Sequence, residues 1–380
     1  MSDSSPPPPR STRRTRIVCV SDTHNSTVKL PKGDVLIHSG DLTNQGSYSE
    51  LSKAVQWLEK ADFDAKIVIA GNHDITLDRN FYANHGSSFH NKNPQDPAKC
   101  LSLLTASPTI TYLQHRSATI RLSRPDGPGT EFTVFGSPYS PEYGTWAFMY
   151  PRPDQGNAAV GSPNAAELWA AIPPDTDILV THTPAYTHCD DSLGCRDLRA
   201  ALARVRPRLH VCGHVHQARG AERVRWDADG LGAGDGIPAE ASVERWEDPS
   251  PDPASAKISL VDLTARGGKR ALDFRDPAPP RGAETGCGTS YLPDPAERVL
   301  SDREDGSGLV GPADRNGGPG SSLELGAQRE STGLPNPVDR SGRRETCVIN
   351  CAIVATSWPH VGGRRFHKPI VVDLDLPVWR

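Results

Sequence analysis

Five short apolar runs, each closing on a polar residue suited to chelation, constrain this chain more than any other feature. Arg16-Ile17-Val18-Cys19-Val20 leads into Ser21-Asp22-Thr23-His24, and Asp34-Val35-Leu36-Ile37-His38 into Ser39-Gly40-Asp41. Ile67-Val68-Ile69-Ala70 delivers Gly71-Asn72-His73-Asp74, Asp177-Ile178-Leu179-Val180 ends in Thr181-His182, and Arg208-Leu209-His210-Val211-Cys212 ends in Gly213-His214-Val215-His216. Continuous apolar runs of this length predict strands buried on both faces, the pattern of a parallel sheet. The carboxyl edge of such a sheet is where α/β folds carry chemistry. Helical spacing in Leu51, Val55 and Leu58 separates the second and third runs, which predicts a βαβ layer. On an extended backbone, Asp22 and His24 would point the same way.

The remaining segments are read in the same terms. Residues 1 to about 15, proline-rich and then basic, read as a disordered tail, and the polar stretch holding Phe81-Tyr82 and His85-Gly86 reads as a loop over the site. Thr119–Leu122 and Glu131–Phe135 flank a Pro/Gly turn and predict a hairpin; Ala165–Ala171 and the spacing of Leu198, Leu202 and Val205 predict helices. Tyr139 and the aromatic group Trp146, Phe148 and Tyr150 either wall a substrate pocket or cap the edge of the core. A last strand of this block is expected at Glu222–Trp226. From 227 to 345 glycine and proline dominate and periodicity lapses except near Ile258–Leu263, so this tract reads as a mostly disordered insertion with at most one ordered piece. Strand-like runs return at Thr346–Val354 and Pro369–Leu374, and they are expected to rejoin the domain formed by residues 16–226.

Composition removes several classes. A formal charge of −4 offers no electrostatic case for nucleic acid, and no apolar run approaches the roughly 18 residues of a membrane span. The eight cysteines are scattered without a C-x-x-C pair, which argues against a zinc knuckle or a disulfide framework and fits a reducing compartment; a soluble, cytoplasmic protein is expected. His85, His90, His115, His188, His360 and His367 lack the strand-end context and read as solvated or loop residues, and Asp190-Asp191 as a helix start.

The strand ends together present Asp22, His24, Asp41, Asn72, His182, His214 and His216. Oxygens mixed with imidazoles suit manganese, iron or zinc better than calcium, and seven ligands are too many for one tetrahedral ion. They suit two divalent ions sharing a bridging carboxylate, for which Asp41 is the natural choice, as in water attack at phosphorus. His73, beside the ligand set, would protonate the leaving oxygen, with Asp74 fixing its tautomer. Singly each residue has an ordinary explanation: a turn cap at Asp22, a loop pair at Gly40-Asp41, a satisfied strand-end histidine at His182. Those explanations do not account for five such ends in one order.

These motifs resemble the ordered signature of calcineurin-like metallophosphoesterases. Gly136-Ser137-Pro138-Tyr139 and Trp146-Ala147-Phe148 add a likeness to the small class III phosphodiesterase-type branch that includes the metallophosphoesterase-domain-containing proteins. The resemblance covers residues 16 to about 226 and the last thirty or so, and implies a four-layer α-β-β-α sandwich. It implies that Asp22, His24, Asp41 and His216 hold one ion, that Asp41, Asn72, His182 and His214 hold the other, and that His73 is the acid. Asn72, Tyr139 and Trp146 are the candidate substrate contacts. Leu42-Thr43-Asn44-Gln45-Gly46 lacks the arginine with which phosphoprotein phosphatases clamp a phosphomonoester, which disfavours that activity. Some branch members lack the histidine corresponding to His214, which this chain retains. The expectation is a phosphodiesterase for small nucleotide-like substrates. A phosphomonoesterase or nucleotide pyrophosphatase on the same centre and a non-catalytic scaffold are the alternatives.

Overall fold

Alternation along each strand decides which layer a side chain enters, and here it sorts the apolar residues into an inner layer and outer ones. The structure, a computed structural model, describes residues 11–152, 164–227, 240–265, 271–274, 342–356 and 363–379. In β1 (Thr12–Val20), Ile17 and Cys19 join one apolar cluster while Val18 and Val20 join another. β2 (Val35–Ser39) and β3 (Ala65–Ile69) split in the same way, with Val35, Ile37, Ile67 and Ile69 inward. These three strands run parallel, as predicted, and lie side by side in the order β1-β2-β3. Three further strands extend the first sheet: β4 (Thr111–Tyr112) beside β3, then β13 (Ser259–Asp262) and β15 (Ile370–Pro377) on the far side of β1, giving the order β13-β15-β1-β2-β3-β4, while the hairpin strand β5 (Arg116–Arg121) belongs to a second sheet.

That second sheet is built from β5, β6 (Glu131–Ser137), β9 (Ile178–Thr181), β10 (Leu209–Cys212), β11 (Gly220–Trp226), β12 (Glu240–Arg245) and β14 (Glu345–Asn350), in the order β12-β11-β14-β10-β9-β6-β5. A small pair, β7 (Ser140–Pro141) and β8 (Met149–Tyr150), stands apart. Val134, Ile178, Val180, Leu209, Val211 and Ile349 share the inner cluster with the first sheet, so the two sheets pack face to face. Helices cover the outer faces. α1 (Tyr48–Lys60) brings Leu51, Val55 and Leu58, and α4 (Ala165–Ala170) and α5 (Arg196–Val205) bring Leu168, Trp169, Leu198, Leu202 and Val205. The result is the expected α-β-β-α sandwich. Ser47 starts α1 with a capping box: its hydroxyl accepts from the Glu50 amide at 3.4 Å, and its amide donates to Glu50 Oε2 at 2.9 Å.

Three expectations change. The stretch read as a loop is α2 (Arg79–His90), followed by α3 (Pro97–Thr105); only Gly86 of α2 is buried, so it has no apolar stripe to read. β1 begins at Thr12, four residues before the predicted strand and inside the presumed tail. Within 227–345, two strands rather than one piece join the sheets: β12 pairs antiparallel with β11, and β13 pairs parallel with β15. Residues 1–10, 228–239, 266–270 and 275–341, also assigned to the tail or the insertion, lie outside the described residues, as does His360. Both C-terminal strands enter the sandwich. β14 lies parallel to β10 and antiparallel to β11, and β15 lies antiparallel to β1, where Arg16 makes a two-pronged bond to Asp373 at 2.7 Å for each prong. Among the described residues no helix is long and apolar enough to cross a membrane.

Candidate metal centre

The candidate ligand residues sit just beyond the strand ends, in turns rather than in extended chain. Asp22, His24, Asp41 and His214 all have left-handed backbones, with φ of 55°, 44°, 53° and 68°. Asp22 and His24 therefore converge through a left-handed turn, not through the strand alternation expected from their spacing. Such conformations cost of order 1–3 kcal/mol each and collect at functional sites. The glycines beside them allow the loops to meet. Gly40 has φ +100°, and a Cβ there would lie 2.5 Å from His182 Nδ1; at Gly213 a Cβ would lie 2.1 Å from Ser21 Oγ and 2.3 Å from Asp22 Oδ2.

Backbone carbonyls set the histidine tautomers. His182 Nδ1 donates to Ser39 O at 2.9 Å, His24 Nδ1 lies 3.2 Å from Thr43 O, and His73 Nδ1 lies 2.9 Å from Asn44 O. In a neutral ring each such bond leaves Nε2 with a lone pair turned inward. His182 Nε2 then faces Asn72 Oδ1 at 2.9 Å and Asp41 Oδ2 at 3.4 Å. His24 Nε2 faces His216 Nε2 at 3.4 Å and Asp41 Oδ2 at 3.6 Å, and His216 Nε2 lies 3.4 Å from Asp22 Oδ1. Three sets of potential ligand atoms, Asp22/His24/His216, His24/Asp41/His73 and Asp41/His182/His214, each lie within 4.8 Å of one another. Lone pairs converging on buried carboxylates need positive charge between them, so the donor set fits bound cations. Asp41 and His24 each belong to two of the sets, and Asp41 is the carboxylate shared between them.

The electrostatics say the same in terms of protons. Burial opposes charge on His182, yet the Asp41 carboxylate, through charge and hydrogen bonding, and the charge of Asp22 push it up to about 9. His216 is likewise raised, the Asp22 carboxylate overcoming burial. Burial dominates at His24, lowered to about 4, and at His214, lowered to about 3. Asp22 and Asp41 are held below the usual carboxylate range because facing imidazoles outweigh their burial. The centre thus retains protons where cations would sit.

Asp74 takes a different part from the one expected. Its carboxylate accepts from Leu42 N at 3.2 Å, Thr43 N at 3.0 Å, Thr43 Oγ1 at 2.7 Å and Gly71 N at 2.9 Å. It ties the Asp41 turn to the Asn72 turn, while the Asn44 carbonyl orients His73. Burial and the charge of Asp41 push Asp74 up to about 6 against those donors. Trp146 lies on His73, ring centroids 3.9 Å apart and tilted by 34°, so it fixes the plane of that imidazole. Tyr139 is buried in the core with Phe148 and His115 at 6.0 and 5.6 Å, which fits the core reading better than a pocket wall.

The sequence misplaces His188. It is buried between Glu222 (3.1 Å) and Glu240 (2.9 Å), the latter also held by Arg199, so β12 is tied to the body of the sheet through a histidine read as solvated. Asp190 accepts from the amides of Thr187 and Gly194 rather than starting a helix; α5 is capped by Cys195. Ser39, Thr43 and Asn44 act through backbone carbonyls, which leave no signal in residue identity.

A sequence profile described as calcineurin-like phosphoesterase matches residues 15–218. The chain is 46% identical over 215 residues to the probable rhamnogalacturonate lyase C of Emericella nidulans, covering 56% of this chain and 18% of that one. It is 38% identical over 222 residues to human metallophosphoesterase domain-containing protein 1, covering 54% of this chain and 62% of that protein. A UPF0046 protein of Caenorhabditis elegans is 37% identical over 226 residues, with 56% of this chain and 68% of the worm protein covered. The chain thus spans less than a fifth of the first relative's length and under two thirds of the second's. With the profile spanning the five strand ends, the chain belongs to the calcineurin-like phosphoesterase family.

Proposed function

We propose that the chain hydrolyses phosphoesters at a centre of two divalent ions, manganese, iron or zinc, and that small nucleotide-like phosphodiesters are its preferred substrates. The observation that carries this is the convergence of inward-facing imidazole Nε2 atoms and carboxylate oxygens around Asp41, with His73 at the margin of the same cluster. Asp22, His24, Asp41 and His216 would hold one ion, and Asp41, Asn72, His182 and His214 the other. Two ions so held supply Lewis acidity toward a phosphoryl group and make water a competent nucleophile near neutral pH.

His73 supplies the proton for the leaving oxygen. Its Nδ1–H bond to Asn44 O persists in both protonation states, so loss of the Nε2 proton leaves the neutral tautomer already favoured by that bond. Trp146 keeps the ring in plane. The diester preference rests on the absence of arginine from Leu42–Gly46. A monoesterase is the second reading, favoured by an arginine that reaches the same loop from the C-terminal segment. The buried free thiols suit a reducing, intracellular setting.

The test is turnover of bis-p-nitrophenyl phosphate against p-nitrophenyl phosphate by chelator-stripped protein with manganese restored. Metal-dependent turnover with the diester faster is expected; no turnover of either ester by metal-loaded protein would remove the proposal. His73→Ala should keep its metals and lose far more rate on an alkyl ester than on a nitrophenyl ester, since a good leaving group needs little protonation. Equal losses would remove His73 from the acid role.

A further inference from the structure

The loop after Asp41 carries no arginine, but the structure brings one to it from 320 residues downstream. Beyond β14 the chain runs beside the first ligand turn: Ala352 bridges Ser21, and Ile353 N donates to Ser21 O at 2.9 Å. The returning segment is pinned antiparallel to it, with Phe366 bridging Val354, Ala355 N donating to Arg365 O at 2.8 Å and His367 N to Ile353 O at 2.7 Å. This pairing sets Arg364 over the ligand loops. Its Nη1 donates to His24 O at 2.8 Å and its Nη2 to Asn44 Oδ1 at 3.2 Å.

Both partners belong to the site. His24 is in the candidate ligand set, and the carbonyl of Asn44 holds the proposed acid, His73. The guanidinium and the acid are therefore set by one residue, Asn44. Arg364 is an exposed residue, and its two bonds hold the guanidinium against the His24 and Asn44 loops. Neither bond is to a carboxylate, so no acidic side chain neutralises the guanidinium in these contacts. A guanidinium has five N–H donors in a planar fork, and two anchoring bonds leave capacity for the oxygens of an anion. An exposed, positioned arginine beside a cluster built for phosphoryl chemistry is the arrangement that binds phosphate in a two-pronged manner.

We propose that Arg364 is the phosphoryl clamp of this site, donating to a non-bridging phosphoryl oxygen of the substrate and to the phosphate product. This rests on the phosphoesterase reading above. It gives the C-terminal segment a part in substrate recognition and gives a dianionic monoester more than a monoanionic diester. The clamp narrows, without reversing, the diester preference set by the arginine-free loop Leu42–Gly46.

The experiment compares wild type with Arg364→Ala and Arg364→Lys, all manganese-loaded. Binding of inorganic phosphate is read by calorimetry, and kcat/KM is read on monoester and diester, with metal content and unfolding midpoint as controls. Loss of a charge-assisted bond should weaken phosphate binding by about ten- to a hundredfold in Arg364→Ala, with metal content unchanged. The monoester-to-diester ratio should fall in the same variant, and the lysine should restore only part of both. A tie between segments and nothing more would lower both esters alike and leave phosphate affinity unmoved, which overturns the clamp. If wild type turns over neither ester, the hydrolase reading falls separately. The calorimetry still decides Arg364, because equal phosphate affinity in wild type and Arg364→Ala, or none in either, overturns its role.

Discussion

Replacing Asp74 distinguishes a catalytic aspartate from an architectural one. Its two carboxylate oxygens accept four bonds, three from the backbone amides of Leu42, Thr43 and Gly71 and one from the Thr43 hydroxyl. Asp74 is fully buried, so Asp74→Ala leaves those donors without water to replace it. Each orphaned donor costs about 1–3 kcal/mol, and because they share one site the losses do not add, so roughly 3–5 kcal/mol is expected. Asp74→Asn is milder. Its NH2 group would face the Thr43 amide and hydroxyl, which both lose their Oδ1 acceptor, while the Leu42 and Gly71 amides keep theirs, so a loss of about 1–3 kcal/mol is expected. Urea unfolding of the metal-free variants reads this as a lower midpoint at unchanged slope. Metal stoichiometry should fall with it, since the Asp41 and Asn72 turns lose their tie. The sensitivity of rate to leaving-group pKa should stay as in wild type. An Asp74→Asn protein of unchanged stability that had lost its leaving-group discrimination would refute this and return Asp74 to the orientation of His73.

Two other outcomes follow from the same geometry. Gly213→Ala drives a methyl against Ser21 and Asp22, so a stability loss of order 1–3 kcal/mol, read as a lower melting temperature, and loss of metal at the Asp22 side are expected; unchanged metal content and stability would contradict the close approach. Because Asp41 and Asp22 push His182 up to about 9 against its burial, a cation must displace that proton at any pH below 9. Apparent metal affinity should therefore rise by about tenfold per pH unit between pH 6.5 and 8.5, with proton release visible as a buffer-dependent binding enthalpy; a flat profile would contradict the assignment.

The strand ends were legible because β1, β2, β3, β9 and β10 are buried on both faces and leave unbroken apolar runs before their polar termini. What lay beyond those termini was not. Residue spacing placed Asp22 and His24 on extended chain, whereas the turn is left-handed, a backbone property that short polar side chains permit without announcing. Asp74 follows His73 in sequence, but the direction of its side chain is set by the amides of a loop some thirty residues earlier. α2 has too little buried surface to show a period. β12 and β13 lie in a Gly- and Pro-rich tract, and β12 owes its place partly to His188 and Arg199 gripping Glu240. Arg364 reaches the site only through a pairing of distant segments, for which one sequence has no local mark.

The position of β15 has a consequence for how this protein is made. Its strand lies against β1 in the interior of the first sheet, and the Arg16–Asp373 bond joins residues 357 positions apart. At translation rates of about 5–20 residues per second, β1 leaves the ribosome roughly 20–70 seconds before its partner exists. Throughout that interval one long edge of β1, apolar on both faces at Ile17–Val20, has nothing to pair with. A chain halted in the tract before β14 is therefore expected to be insoluble where the full chain is soluble, which fractionation of truncated and full-length protein reads directly; a soluble truncated product would contradict the role given to β15.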